Sequence, residues 1–378
     1  MKKIKVAFCL RDMQLGGVES VLIRTLDKLQ EYKNIDISVI NYVDITEPIY
    51  KKYFESHKNI KRYSLYPSKI LGTKLPHFFL LRIFAHLLRG IYRVWKRSLY
   101  GVRKFKDIDV FIDYHDFCFH SELKNIKSAK KIAWCHSSVD TFVKRGFIKK
   151  MGVYDSVVVL TDEFINDFNK IYGVNNKLVR IYNPIDIEDI KSRADMAEKN
   201  NLKNYFCCVA RLTPDKDIET VLRGFDLFWT SVGRPDIKMV FVGDGNMRCV
   251  YESIANSLSA KKQFVFMGAL QNPFGIMRGA IANILSSRSE GLPTVLVESA
   301  VLGTVNIASK CKCGPCEILG DGKYGLLFDV GNFEQLSKCM TDVYDKKVDV
   351  DKMVKQSTKA LKRFDADKIV EQIISLIS

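Results

Sequence analysis

Ala282-Asn-Ile-Leu-Ser-Ser-Arg-Ser-Glu290-Gly-Leu-Pro-Thr-Val-Leu-Val-Glu298-Ser-Ala-Val-Leu302 reads as strand, turn and helix in direct succession. The apolar run Ala282–Ser286 predicts a short buried strand, Gly291 and Pro293 break it, and Thr294–Leu302 takes up a helical pattern. Backbone N–H groups of Leu292, Pro293's neighbour Thr294 and Val295 then fall at a helix N-terminus, which suits a phosphate. Glu290 stands on the loop and Glu298 about one turn into the helix. Two carboxylates so placed can accept hydrogen bonds from vicinal sugar hydroxyls. They equally suit a helix cap beside a surface glutamate.

The same unit recurs on both sides of this stretch. In the same half of the chain, strand candidates Tyr205–Leu212, Lys238–Gly243 and Gln263–Gly268 precede it and Val305–Ser309 follows it, with helices Asp217–Val232 and Met247–Ser259. Earlier ones are Lys3–Leu10, Asp36–Val43, Asp109–His115, Lys131–Ser137 and Ser156–Leu160, with helices Val18–Tyr32 and Asp162–Tyr172. Between the two series, Asn183-Pro184 and the polar stretch after it mark a domain boundary near 185/186. Repeated strand–helix alternation predicts an α/β protein of two Rossmann-like, doubly wound domains facing a central cleft. Ligands of such sheets bind at the carboxyl ends of the strands. At 378 residues, two domains of similar size are the natural division.

A hydrophobic fraction of 47% suits packed domains. Cys9, Cys135, Cys207 and Cys208 sit inside apolar strand-like runs, which points to reduced thiols rather than a disulfide framework. The first ten residues read as a strand, not a leader. No run of about 20 apolar residues predicts a spanning helix, since the best candidate, His77–Leu88, is broken by Arg82.

Two further features bear on chemistry. Gly16-Gly17-Val18-Glu19 follows the first strand, where glycines let the backbone approach an anion; tight strand-to-helix turns need glycine for their own sake as well. Arg211-Leu-Thr-Pro-Asp-Lys216 ends the second domain's first strand. An Arg fork and an ammonium there can neutralise charge on a leaving diphosphate, or simply be solvated on a turn that caps a helix with Asp215 or Asp217.

In order and spacing these features resemble glycosyltransferase family 4, retaining enzymes of the GT-B architecture. The similarity rests on Arg211 and Lys216 as Arg-x4-Lys, Val242-Gly243-Asp-Gly245, Phe266-Met-Gly268, Asn272-Pro273, and Glu290 with Glu298 as E-x7-E. It extends to Gly314-Pro-Cys-Glu-Ile-Leu319, Gly322-Lys-Tyr-Gly325-Leu-Leu-Phe328 and the hinge-like Asn183-Pro184-Ile-Asp186. The resemblance implies catalytic roles for Arg211, Lys216, Glu290 and His136, the last from Trp134-Cys-His136-Ser-Ser. It implies donor contacts from Gly16, Gly17, Gly243, Gly291, Leu292, Pro293, Thr294, Val295 and Glu298, with Glu290 on the sugar hydroxyls and Glu298 on the ribose. It further implies a nucleotide-sugar donor, UDP-linked by preference with GDP-mannose open, front-side departure of the nucleoside diphosphate, and no cofactor or metal. Asp113-Tyr-His-Asp116 lacks the Asp-x-Asp spacing of a metal-holding transferase, and Cys311-Lys-Cys-Gly-Pro-Cys316 lacks the second pair of a zinc site. His115 and His120 suit either the acceptor side or packing.

The formal charge of +16 is unevenly spread: from Ser56 to Lys106 there are thirteen Lys or Arg and no Asp or Glu. Within segment 76–106, Arg82, Arg89, Arg93 and Lys96 share one helical face, and Leu80, Phe84, Leu87, Ile91 and Trp95 the opposite one. Such a helix either packs its apolar face on the domain or lies on an anionic membrane surface. Both suit a lipid-linked or cell-surface glycan acceptor; nucleic acid fits less well, because no stacking surface accompanies the charge. The expectation is therefore an acceptor domain (1–185), a nucleotide-sugar domain (186–364) and a helix (365–378) crossing back to the first. The enzyme would be a cytoplasmic glycosyltransferase, peripheral to the inner face of the membrane. A nucleotide-sugar epimerase or hydrolase, and a non-catalytic membrane or nucleic-acid binder, are the alternatives.

Overall fold

A computed structural model describes residues 3–14, 16–66, 90, 105–197, 201–233 and 236–378. The chain divides into two compact units. One comprises Met1–Val159, Tyr172–Ile181 and Val370–Ser378; the other comprises Leu160–Ile171 and Tyr182–Ile369. Arg82, Arg89, Arg93 and Lys96 lie outside the described residues.

The first unit holds a seven-stranded sheet of β1 (Ile4–Leu10), β2 (Ile35–Val43), β3 (Lys61–Tyr66), β4 (Val110–Asp113), β5 (Lys130–Trp134), β6 (Ser156–Val159) and β7 (Leu178–Arg180). Its spatial order is β3-β2-β1-β4-β5-β6-β7, with parallel pairing throughout. Val6 to Leu10 of β1 are wholly buried, as expected of a central parallel strand covered on both faces. The helix Gly17–Leu29 buries Val21, Leu22, Leu26 and Leu29 along one stripe.

The second unit holds a six-stranded parallel sheet: β8 (Tyr205–Val209), β9 (Lys238–Val242), β10 (Phe264–Phe266), β11 (Asn283–Leu285), β12 (Asn306–Ser309) and β13 (Leu326–Phe328). The order β10-β9-β8-β11-β12-β13 reverses direction between β8 and β11. That is the doubly wound arrangement, whose ligand crevice opens at the reversal. Phe206, Met239, Phe241, Ile284 and Ile307 pack from the sheet against Val221, Leu222 and Phe225 of the helix Ile218–Val232. Gly233, in the left-handed region, ends that helix.

Three strands escape the sequence pattern: β3, β7 and β13, each at a sheet edge. The exposed Lys61 and Arg62 of β3 hide its alternation, and β7 and β13 have three residues apiece. The helix Ala366–Ile377 runs from the second unit's residues into Val370–Ser378, which group with the first. Among the described residues no helix is long and apolar enough to cross a membrane.

Candidate functional site

In the second sheet β8 and β11 are neighbours at the reversal, joined where the Cys207 N–H donates to the Ala282 carbonyl at 3.1 Å. The loops leaving their carboxyl ends carry Arg211 to Lys216 and Ser286 to Pro293. Lys216 ends a single 3-10 turn, Pro214–Lys216, started by the proline. Its Nζ lies 2.6 Å from Glu290 Oε1, and both side chains are largely buried, at 15% and 11% exposure. Residues 74 apart in sequence thus form one ion pair at the place the topology reserves for a ligand.

Hydroxyls and backbone groups hold this pair in place. Ser287 Oγ donates to the same Glu290 oxygen at 2.5 Å. Ser286 Oγ donates to the Lys216 carbonyl at 2.7 Å, and the Arg288 N–H to the Asp215 carbonyl at 2.9 Å. Ser309, ending β12, donates to the Ser287 carbonyl at 2.6 Å. Glu290 itself donates its N–H to Lys312 at 2.9 Å and accepts from Cys313 at 3.4 Å. None of Ser286, Ser287 or Ser309 was singled out from the sequence. Their signal was present, as hydroxyls at the ends of adjacent strands, but serine after a strand usually means only a turn.

Arg211 is exposed, with no side-chain hydrogen bond or ion pair among the described residues. Its loop is shaped by the turn Val242-Gly243-Asp-Gly245. Gly243 sits at φ +141°, and a Cβ there would lie 1.9 Å from the Ala210 carbonyl oxygen. The Leu212 N–H donates to the Asp244 carbonyl at 2.9 Å, so the turn lies against the backbone that presents Arg211. Gly243 thereby has a steric reason to be glycine. Asp217 precedes the helix Ile218–Val232 but makes no side-chain bond to its backbone; it accepts from Thr220 Oγ1 at 2.9 Å and pairs with Arg288 at 3.0 Å.

Beyond Glu290, the helix Thr294–Val301 starts after Pro293 with no side-chain cap and no acid in its first turn. With no acid in that turn, the dipole at this helix start is not offset by the helix's own residues, which suits an anion. Leu292 and Pro293 are buried, whereas Gly291, Thr294 and Val295 are half-buried. Glu298 is half-buried on the fifth residue of the helix. The loop after β12 packs on this helix start: a Cβ on Gly314, at φ +99°, would lie 2.7 Å from Pro293 Cδ. Glu317 of the same loop accepts from the Tyr182 hydroxyl at 2.5 Å and from the Glu163 N–H at 3.1 Å, while Glu163 accepts from the Gly314 N–H at 3.2 Å. Burial pushes the Glu163 carboxyl above its ordinary range.

In the first unit the sheet reverses between β1 and β4. Gly16 is extended there and Gly17 opens a helix. The Glu19 carboxylate folds back beneath Gly16, 2.8 Å from where a Cβ would be. It also lies 3.8 Å from His115 Nε2, so this helix start already has an acid beside it. His136 follows β5. Its N–H donates to Asp116 Oδ1 at 2.7 Å, Ser137 Oγ donates to Asp116 Oδ2 at 2.5 Å, and Tyr114 packs edge-on against the imidazole. The ring bonds to the Tyr114 backbone, and its Nε2 is buried without a partner among the described residues. Burial lowers its pKa to about 4, so the imidazole is neutral near pH 7 and can accept a hydroxyl hydrogen through that nitrogen. Asp113 is wholly buried, accepting from Tyr154 at 2.6 Å, Phe119 N–H at 2.8 Å and Cys118 at 3.2 Å. It therefore serves the interior rather than a ligand. His120 stands partly exposed at the start of the short helix His120–Leu123.

All ten cysteines are free thiols. Cys311 and Cys313 are buried, and among the described residues no His, Cys, Asp and Glu group has the makings of a metal site.

Comparison with known proteins places residues 190–363 in agreement with the family Glycosyl transferases group 1, a match that spans the ion pair, the Arg211 loop and the helix after Pro293. An uncharacterized glycosyltransferase of Methanocaldococcus jannaschii is 23% identical, with 93% of each chain covered. N-acetylgalactosamine-N,N'-diacetylbacillosaminyl-diphospho-undecaprenol 4-alpha-N-acetylgalactosaminyltransferase of Campylobacter jejuni is 26% identical over 56% of this chain and 57% of its own length. Among solved structures, that of Anabaena HepE in complex with UDP superimposes with a TM-score of 0.74 at 18% identity, covering 99% of both chains.

Proposed function

We infer that this chain is a glycosyltransferase of GT-B architecture, and we propose that it moves a hexose or N-acetylhexosamine from a UDP-linked donor to a lipid-linked or cell-surface glycan acceptor. One observation carries the reading: a sequestered Lys216–Glu290 pair at the sheet reversal, 2.6 Å apart, within the stretch that matches the family. An ammonium there meets the diphosphate and a carboxylate meets the sugar, which is the polarity a nucleotide-sugar site needs. The Campylobacter relative acts on an undecaprenyl diphosphate, and the Anabaena structure holds UDP. Both support the assignment of acceptor and donor classes.

The reaction proposed is retaining transfer with departure of the nucleoside diphosphate from the face that the acceptor attacks. Negative charge grows on the leaving phosphate, and Arg211 and Lys216 neutralise it; interactions that strengthen with that charge raise turnover more than binding. Amides from Gly291 to Val295 at the helix start bind phosphate oxygens, Glu298 takes the ribose hydroxyls, and Glu290 fixes the donor sugar. His136 accepts from a sugar hydroxyl as a neutral imidazole. Two protein cations and a helix N-terminus do the work of a divalent metal, so transfer proceeds without one. The basic face of Arg82, Arg89, Arg93 and Lys96 brings the enzyme to an anionic membrane surface that bears the acceptor.

The test is transfer of labelled sugar from UDP-N-acetylglucosamine, UDP-N-acetylgalactosamine, UDP-glucose or GDP-mannose to polyprenyl-diphosphate saccharides. Coupled product is the expected result. Free sugar or an epimer without coupled product overturns the transferase reading.

A further inference from the structure

Glu290 has two carboxylate oxygens, and the described residues use only one. Oε1 receives both Lys216 Nζ at 2.6 Å and Ser287 Oγ at 2.5 Å, whereas Oε2 accepts no hydrogen bond among the described residues. The two donors come from opposite sides of the sheet reversal, one after β8 and one after β11. The Glu290 main chain is fixed independently by its two-way pairing with Lys312 and Cys313. Backbone and carboxylate end are both held, so the direction of Oε2 is set before any ligand arrives. Ser287 is itself wholly buried and anchored through its carbonyl by Ser309. Lys216 cannot serve as a free cation while Glu290 neutralises it, but Arg211 can.

We propose that Ser287 is a positioning residue that, together with Lys216, holds Glu290 Oε1 so that Oε2 alone meets the donor sugar. The same pairing holds Lys216 in check toward a nucleoside diphosphate that carries no sugar. This rests on the function proposed above. When a nucleotide sugar binds, the sugar hydroxyl donates to Oε2 and the Lys216 ammonium shares its remaining protons with the phosphate. A free nucleoside diphosphate offers no donor to Oε2 and meets a lysine already half-neutralised. The site thus favours loaded donor over spent product, and it does so through a carboxylate that never touches phosphate. Charge-assisted hydrogen bonds of this kind are the strong ones, and fixing their geometry beforehand removes the ordering cost at binding.

The experiment is calorimetric titration of the wild type and two variants. The ligands are the nucleotide sugar that most stabilises the wild type, from a panel of UDP-, GDP- and ADP-sugars, and its matching free nucleoside diphosphate. Ser287→Ala is expected to keep its affinity for the free diphosphate within about twofold and to lose about tenfold in affinity for the sugar-bearing donor, the scale of one hydrogen bond to a charged group. Glu290→Gln is expected to bind the free diphosphate several-fold more tightly than wild type, because the lysine loses its carboxylate partner at 2.6 Å and keeps only the half-exposed Asp215 at 3.8 Å, while losing transfer. A Ser287→Ala protein that binds both ligands as the wild type does, or loses both equally, overturns the positioning role. A Glu290→Gln protein with unchanged or weaker diphosphate affinity overturns the restraint on Lys216, and this arm stands even if Ser287→Ala fails to fold. Absence of binding by every nucleotide sugar in the panel overturns the functional reading, and this inference with it.

Discussion

Lys216 and Glu290 depend on each other, so the loss of either leaves a charge in a largely sequestered site. Lys216→Ala and Glu290→Ala should each lower turnover by about a hundredfold or more, the scale seen when a transition-state donor is removed. Arg211 is exposed and unpaired among the described residues, so Arg211→Ala should fold as the wild type and lose kcat more than KM. Steady-state kinetics on the coupled reaction checks all three. His136 makes a different statement. Its folded pKa is lowered to about 4 by burial against an ordinary 6.5, so the unfolded chain takes up a proton that the folded one refuses. The stability this contributes is complete above pH 6.5 and is lost as pH falls toward 4. His136→Gln should flatten that part of the pH–stability curve, measured by denaturant unfolding from pH 7 to pH 4. For the same reason the pH–rate profile should show no step from His136 between pH 6 and pH 8.

At the scale of elements, the decisive contact is between the turn after β9 and the strand end of β8. A Cβ on Gly243 meets the Ala210 carbonyl at 1.9 Å and requires a left-handed backbone as well. Gly243→Ala should therefore destabilise the second unit by at least about 2 kcal/mol and misplace Arg211, with lower thermal stability and weaker nucleotide binding together. The helix Thr294–Val301 shows how far a sequence pattern reaches. The Gly-Pro break before it and its N-terminus after Pro293 agree with the structure. That its N-cap is Pro293, which has no side-chain acceptor to offer, follows from where the helix begins and not from the spacing of Glu290 and Glu298. Edge strands β3, β7 and β13 escaped the pattern for a related reason: a strand covered on few sides has little apolar periodicity to show.

At the scale of the whole molecule, a ligand that binds only the folded second unit must stabilise it by mass action. A UDP-sugar at a hundred times its Kd should raise the stability by about 2.7 kcal/mol, seen as a higher melting temperature, and excess EDTA should leave that shift and the turnover unchanged. The thirteen cations between Ser56 and Lys106 make a separate prediction: neutralising Arg82, Arg89, Arg93 and Lys96 should weaken binding to vesicles rich in anionic lipid and leave nucleotide affinity unaltered. Strand–helix alternation, the doubly wound class, the turn glycines, the positions of Arg211, Lys216 and Glu290 in loops after strands, and that of Glu298 in the helix that follows were all determined by sequence alone. Each follows from local periodicity or from residues at short spacing. Tertiary structure decided which strand ends became neighbours, that Lys216 pairs with Glu290 across 74 residues, that Ser287 and Ser309 stand behind that pair, and that His136 is held neutral. Strand order brings distant loops together and burial sets the charge of what they carry, and neither quantity is local in the chain.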